Sequence, residues 1–353
     1  MATANILPTS YAEKITSQLR RPEPPPKGLD PLTAGNDVLI KHGLPLRPNK
    51  ANCPKQYALW ERLMARPLTF IEPEFEVVEV VPGPLPKLVY PRGESYKESP
   101  TWSGAVNTTL KCKDMFRHIT VSWVIPLAYP PMSQWDGKAW KRSDNTPKYE
   151  CGVWIGIDGH HTSHDVVQAG TAQTCVITSN EKLVQTACAW FEWYPEDQVT
   201  FSNFPVRSGD LVTCIVECPD PAVDPGLNCT FQTTGTPTAR FIMINQSACT
   251  YTSVSRNHPV TDSKYEFKGD MAEWIIEGHI KNNHSTMPYL GATFMYDCLA
   301  VTRRSEERDL EDALLINMVV DSQTLSRAVR ENKSVLGIFS EPRDEARFLK
   351  VKQ

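Results

Sequence analysis

Two glutamates four positions apart, Glu273 and Glu277, stand in the run Ala272-Glu273-Trp274-Ile275-Ile276-Glu277, whose apolar and aromatic content reads as a buried strand. Side chains i, i+2 and i+4 of a strand share a face, so Glu273, Ile275 and Glu277 point one way and Trp274 and Ile276 the other. Two carboxylates on one face of such a strand are costly in a plain core. They need a partner, a cleft or a task; a solvated edge strand is the bland alternative. A carboxylate within reach of water removes a proton as the water attacks a carbonyl, and then hands that proton to a departing amine. The reaction also needs a donor for the developing oxyanion. The side-chain amide of a glutamine is a neutral one, which keeps working at low pH where a second carboxyl would change charge.

About a hundred residues earlier the chain carries Trp154-Ile155-Gly156-Ile157-Asp158-Gly159, then Val166-Val167-Gln168-Ala169-Gly170, then Trp190-Phe191-Glu192-Trp193-Tyr194-Pro195. Trp102-Ser103-Gly104-Ala105-Val106 precedes them. Taken with the Glu273–Glu277 run, the order and approximate spacing of these five motifs resemble the fungal glutamic peptidases, the eqolisins. The similarity runs roughly from Thr101 to Ser340 and includes Ile316-Asn317-Met318-Val319-Val320-Asp321, which looks like that family's last strands. Gly43 to Pro48, followed by a Trp-containing helix, is similar to the N-terminal parts of non-secreted relatives. The resemblance implies a catalytic pair, with Glu277 as general acid/base and Gln168 as oxyanion donor. It implies no cofactor, no metal and no covalent intermediate.

Other residues near the pair have two readings each. Asp158 orients the pair or the substrate, or it forms the Asp-Gly turn. Glu192 and Glu273 raise the pKa of a neighbouring carboxyl by like-charge proximity, and Glu273 alternatively serves a buried structural role. Trp102, Trp154, Trp190, Trp193 and Trp274 are candidates for lining a substrate groove. Aromatic residues of a sandwich also fill its core, so only some are expected to face the cleft. His160, His161 and His164 sit between Gly159 and Gln168, but no carboxylate/His strand pattern accompanies them, so an exposed loop is expected rather than a metal site. There is no Gly-x-Ser-x-Gly elbow and no phosphate-binding glycine loop.

The elements that must position these residues are short and β-rich. After Thr101 they follow one another between turn signals with few helical periods, the pattern of an all-β sandwich. The resemblance sharpens this to a two-sheet jelly roll of concanavalin-like architecture over residues 101–340, with a C-terminal tail at 341–353. Residues 1–100 read as an N-terminal arm of short helices and a proline-rich strap. Within it, Ser10-x-x-Glu13 marks a short polar helix and Asn52 to Ala65 a longer one, whose apolar stripe is Tyr57, Trp60, Leu63 and Met64. The arm is expected to lie across the β-domain, occluding a cleft as a propeptide would or covering a sheet edge. Arg303 to Leu315, charged and with helical spacing, is expected as a surface helix or loop insertion.

Composition excludes some classes of function. With 41% hydrophobic and 22% charged residues the chain is ordinary for a globular protein, and a net charge of -4 without a basic run argues against a nucleic-acid surface. No apolar stretch approaches the roughly 20 residues of a membrane span, and Met1 to Arg21 lacks a signal-peptide core, so an intracellular location is expected. The ten cysteines form no CxxC pair and are expected to be mostly reduced. Cys151 and Cys175, near which the secreted family also has cysteines, are the candidates for a disulfide. The sequons at Asn107, Asn228, Asn245, Asn283 and Asn332 matter only in the secretory pathway. Three functions fit. The first is a metal-free peptidase; the second is a biosynthetic enzyme guiding cyclisation, isomerisation or cycloaddition of a small metabolite on the same scaffold; the third is a carbohydrate-binding module.

Overall fold

The computed structural model describes residues 9–78, 88–89, 91, 95–109, 114–142, 148–159, 164–219, 238–259, 263–281 and 284–341. Three helices come first: α1 (Thr9–Ser17), α2 (Asn36–Lys41) and α3 (Pro54–Met64). Around and after them run β1 (Leu19–Arg20), β2 (Thr69–Phe70), β3 (Phe75–Val78) and β4 (Lys97–Ser99). The rest is β: β5 (Trp102–Thr108), β6 (Phe116–Val124), β7 (Tyr149–Asp158), β8 (Val166–Ile177), β9 (Leu183–Tyr194), β10 (Gln198–Phe201), β11 (Leu211–Glu217), β12 (Thr238–Asn245), β13 (Thr250–Asn257) and β14 (Met271–Gly278). A small hairpin, β15 (Ile280–Lys281) with β16 (His284–Ser285), precedes β17 (Ala292–Thr302), β18 (Glu307–Arg308), β19 (Leu314–Val320), β20 (Gln323–Arg330) and β21 (Leu336–Ser340).

These strands form two layers, as expected for an all-β sandwich. One layer runs β19-β5-β14-β7-β8-β9-β10-β3, the other β13-β12-β11-β6-β17-β21-β20, and the β19–β20 pairing joins them. Alternation along each strand explains the layering. On the first sheet, Trp274, Ile276, Val153, Ile155, Val167, Phe191 and Trp193 turn inward. They meet Ile119, Val121, Trp123, Val212, Cys214 and Val216 of the second sheet.

The second sheet also has a covered outer face. Ile215, Ile242, Ile244 and Tyr251 pack under Leu39, Leu44, Leu59, Trp60, Leu63 and Met64 of the helical arm. Helix α3 carries the apolar stripe read from the sequence, and the indole N–H of Trp60 donates to the carbonyl of Pro45 at 3.1 Å. The arm contributes strands as well: β1 and β2 add to β13, β3 adds to β10, and β4 adds to β19. Arm segments thus pair with the edge strands β13 and β10, leaving fewer unpaired backbone groups there.

The segment Arg303 to Leu315 is not a helix. It holds β18, a turn and the start of β19. Two of its acids reach the arm: Glu307 Oε1 accepts the backbone N–H of Gln56 in the first turn of α3, and Asp309 Oδ2 accepts Lys55 Nζ at 2.8 Å. All eight cysteines among the described residues, Cys151 and Cys175 included, are free thiols.

Candidate active site

The outer face of the first sheet carries the residues singled out by chemistry. Register fixes their arrangement. Glu273 lies opposite Gly156, which lies opposite Gln168, which lies opposite Glu192. The next row along the strands is Ile275, Trp154, Gly170 and Trp190. A further row has Trp102, Glu277 and Gly152. The amide on β8 and the acid Glu277 on β14 therefore share one face of one sheet, with β7 between them and two rows of offset along the strands.

Glycines make the close packing here possible. A Cβ at Gly170 would stand 2.6 Å from Cβ of Trp154 and 2.2 Å from the carbonyl oxygen of Val153. Gly152 and Gly156 leave the space that the Trp154 indole occupies, with its Cδ1 over the first and its Cζ3 over the second. The indole lies edge-on to Trp102, ring centroids 5.2 Å apart. Trp102, Trp154 and Trp190 form the aromatic cluster of this outer face with Val106, Val166 and Ile275. Trp193 and Trp274, the other two groove candidates, lie in the core between the sheets.

Two side-chain hydrogen bonds organise the polar groups. The indole N–H of Trp154 donates to Oε2 of Glu277 at 3.0 Å, and Nε2 of Gln168 donates to Oε2 of Glu192 at 2.7 Å. Gln168 and Glu192 are 6% and 8% exposed, whereas Glu277 keeps some access to solvent. Burial, then the negative charge of Glu277, pushes the Glu192 carboxyl up to about 8, against the opposing hydrogen bond from Gln168. Burial also raises Glu277, while His279 and the indoles of Trp102 and Trp154 pull it back. Trp102 does so without reaching hydrogen-bond geometry: its Nε1, like Nε1 of Trp190 and Oε1 of Gln168, is buried with no hydrogen-bond partner among the described residues. Two indole donors and one amide acceptor are thus left open around the pair.

The remaining candidates have different surroundings. Asp158 is fully buried at φ 68°, and its carboxylate accepts three backbone N–H groups, from Lys268, Gly269 and Asp270, at 2.7 to 2.9 Å. Its oxygens are thereby committed to the loop entering β14. Burial, then the charge of Asp165, holds its carboxyl well above the usual range. Glu273 is fully buried, and neither of its oxygens has a partner among the described residues. Burial, followed by Asp158 and Glu277, holds it well above the usual carboxylate range.

Sequence reasoning did not single out Asp165 and His258, which sit beneath this end of the site. Asp165 is buried, accepts the indole N–H of Trp193 at 3.0 Å and lies 3.4 Å from Nε2 of His258. Neither stands in a local pattern that marks it; only the fold brings β8 beside the loop after β13. His160 and His161 lie outside the described residues.

The Peptidase A4 family model matches residues 100–337, two thirds of the chain. The chain belongs to the Peptidase A4 family. The glutamic-peptidase resemblance read from its motifs is therefore a true kinship. Aspergillopepsin-2 of Aspergillus niger is 25% identical over 207 residues, which cover 56% of this chain and 62% of that protein. The chain thus spans somewhat less than two thirds of the length of this curated relative. Among solved structures, scytalido-glutamic peptidase with a peptide-based transition state analog aligns at a TM-score of 0.48 with 18% identity, covering 69% of this chain and 98% of that one. Aspergilloglutamic peptidase from Aspergillus niger aligns at 0.41 with 19% identity, covering 55% and 99%.

Proposed function

We propose that this chain hydrolyses peptide bonds, with Glu277 as general base and then general acid, and Gln168 as the oxyanion donor. The observation that supports the reading is the placement of the two residues on one face of one sheet, among open indole donors, in a member of the Peptidase A4 family. A water molecule beside Glu277 loses a proton to the carboxylate as its oxygen attacks the scissile carbonyl carbon. The carbonyl oxygen takes up the electron pair. Gln168 has one N–H on Glu192 and a second with which to hold that oxyanion. Glu277, now protonated, passes its proton to the leaving nitrogen as the C–N bond breaks. Its raised pKa suits both halves of this cycle, because a carboxyl that is too acidic is a poor base and a slow donor. The partner implied is a polypeptide whose backbone carbonyls meet the open indole N–H groups.

Digestion of a denatured protein across the acid-to-neutral range tests this reading. Glu277→Gln is expected to abolish cleavage, and Gln168→Ala to lower kcat by about 10²- to 10³-fold, the usual cost of one oxyanion donor. Cleavage at wild-type rate by both variants would overturn the assignment.

A further inference from the structure

Gln168 and Glu192 are direct partners across β8 and β9, both buried, with one hydrogen bond of 2.7 Å between them. That bond uses one N–H of the amide. The amide oxygen, equally buried, has no partner among the described residues. A buried carbonyl oxygen without a donor is costly, by about 1–3 kcal/mol. The missing donor has an obvious source. A carboxylic acid, unlike a carboxylate, carries an O–H beside its C=O, and an acid facing a primary amide closes a ring of two hydrogen bonds, N–H to C=O and O–H to C=O.

We infer that Glu192 is a positioning residue for Gln168, held as a neutral acid whose C=O accepts one amide N–H and whose O–H donates to the amide oxygen. The inference rests on the peptidase reading for its consequence in catalysis. Donation to the amide oxygen draws electron density from the amide nitrogen and makes the remaining N–H a stronger donor to an oxyanion. The ring also fixes the amide plane, so this N–H does not have to reorient as charge develops.

The charges around Glu192 are consistent with a neutral acid. Glu277 on β14, across the intervening strands, and Asp197, just beyond β9, both disfavour its ionisation; Arg256 on β13 favours it, more weakly. Tyr194, two residues along β9, is itself pushed up by burial and by the neighbouring Tyr265 and Glu192. Ionisation of Glu192 removes the O–H from the ring and puts a negative charge beside the place where the oxyanion forms. Both effects weaken Gln168 as a donor.

Glu192→Gln separates the geometry from the titration. A glutamine there closes the same ring with its own C=O and NH₂ and does not ionise. Glu192→Leu fills the volume and removes the ring. The full-length chain, labelled with 15N-glutamine and assigned with Gln168→Ala, reports the pair directly. The Gln168 NH₂ resonances are expected to titrate near pH 8 in the wild type and to stay constant in Glu192→Gln. In peptide cleavage, Glu192→Gln should keep kcat within about threefold and lose the alkaline limb, while Glu192→Leu should lower kcat by about 10- to 100-fold at nearly constant KM. Gln168 resonances that ignore pH, or a Glu192→Leu enzyme with wild-type kcat, would overturn the pairing. A chain that cleaves nothing removes the peptidase reading, and the resonance titration then decides the pairing alone.

Discussion

The indole N–H of Trp154 and the carboxylate of Glu277 are 3.0 Å apart, joined across hydrogen-bonded strands. This contact opposes burial, the main influence raising the acid. A phenyl ring keeps most of the packing of an indole and lacks the donor. Trp154→Phe should therefore leave Glu277 with a still higher pKa, because one hydrogen bond to the charged form is lost. Base catalysis needs the ionised form, so the acid limb of kcat/KM moves to higher pH and the rate at low pH falls. A pH–rate profile checks this; an unmoved acid limb means that the indole does not steady the carboxylate.

The same face makes stability depend on pH. Glu192 has its folded pKa raised from an ordinary value of 4.5 to about 8. A group raised on folding contributes stability in full below its unfolded pKa and loses it as pH rises through the folded one. Between 4.5 and about 8 the unfolded chain has released the proton that the folded chain still holds, so unfolding becomes easier as pH rises. For this group alone the loss is on the order of 5 kcal/mol. Glu273 acts in the same direction, and its oxygens have no partners among the described residues. Glu273→Met, similar in volume and without the polar atoms, should raise stability at neutral pH by about 1–3 kcal/mol and flatten the pH dependence. Denaturant titrations in acid and at neutral pH measure both; a destabilised Glu273→Met at neutral pH would assign a polar task to that carboxyl.

Where sequence reasoning succeeded here, the signal was periodic; where it failed, a tertiary contact decided. Alternation along Met271–Gly278 put Glu273 and Glu277 opposite Trp274 and Ile276, and strand geometry preserved that division. The charged run from Arg303 to Leu315 has helical spacing and read as a surface helix or a loop insertion; it is not a helix, and its Glu307 and Asp309 bond to the start of α3, which packs from far away in sequence. No local pattern reveals a helix N-terminus lying some 250 residues earlier. The tryptophans divided between the core and the outer face by strand parity, which follows only once register is known. Asp158 read equally well as a substrate contact or a turn former, because the loop whose N–H groups donate to it is about 110 residues distant.

That loop yields a third expectation. Asp158 joins the end of β7 to the entrance of β14, the strand carrying Glu277. Asp158→Ala leaves three backbone N–H groups without their acceptor and puts a Cβ residue lacking local polar compensation at φ 68°. A loss of about 3 kcal/mol or more is expected in unfolding free energy. Asp158→Gly relieves the backbone but not the amides, so it should recover only a fraction. A thermal melt of Asp158→Gly that matches wild type would mean that backbone conformation, and not the carboxylate, is what this position supplies.

On the opposite sheet the helical arm is held by an acid of contrary behaviour. Glu217 is buried; burial alone would raise its carboxyl, but Arg240 and His118 outweigh that and hold it below the usual value. One oxygen accepts Arg240 Nη1 and the other the backbone N–H of Leu46, while Arg240 Nη2 donates to the carbonyl of Leu44. The arm is thus tied to the sheet by an ion pair whose spare hydrogen bonds reach its backbone. Because this carboxyl is depressed on folding, its contribution is present above its unfolded pKa and fades as pH falls through the folded one, opposite in sign to Glu192. Glu217→Gln removes the carboxylate charge from the buried ion pair with Arg240, at a cost of about 3–5 kcal/mol. The loss should concentrate at the arm, so residues 36–64 are expected to become susceptible to limited proteolysis before the sheets open. Equal protease resistance of wild type and variant would mean that the apolar contacts of Trp60 and its neighbours hold the arm unaided.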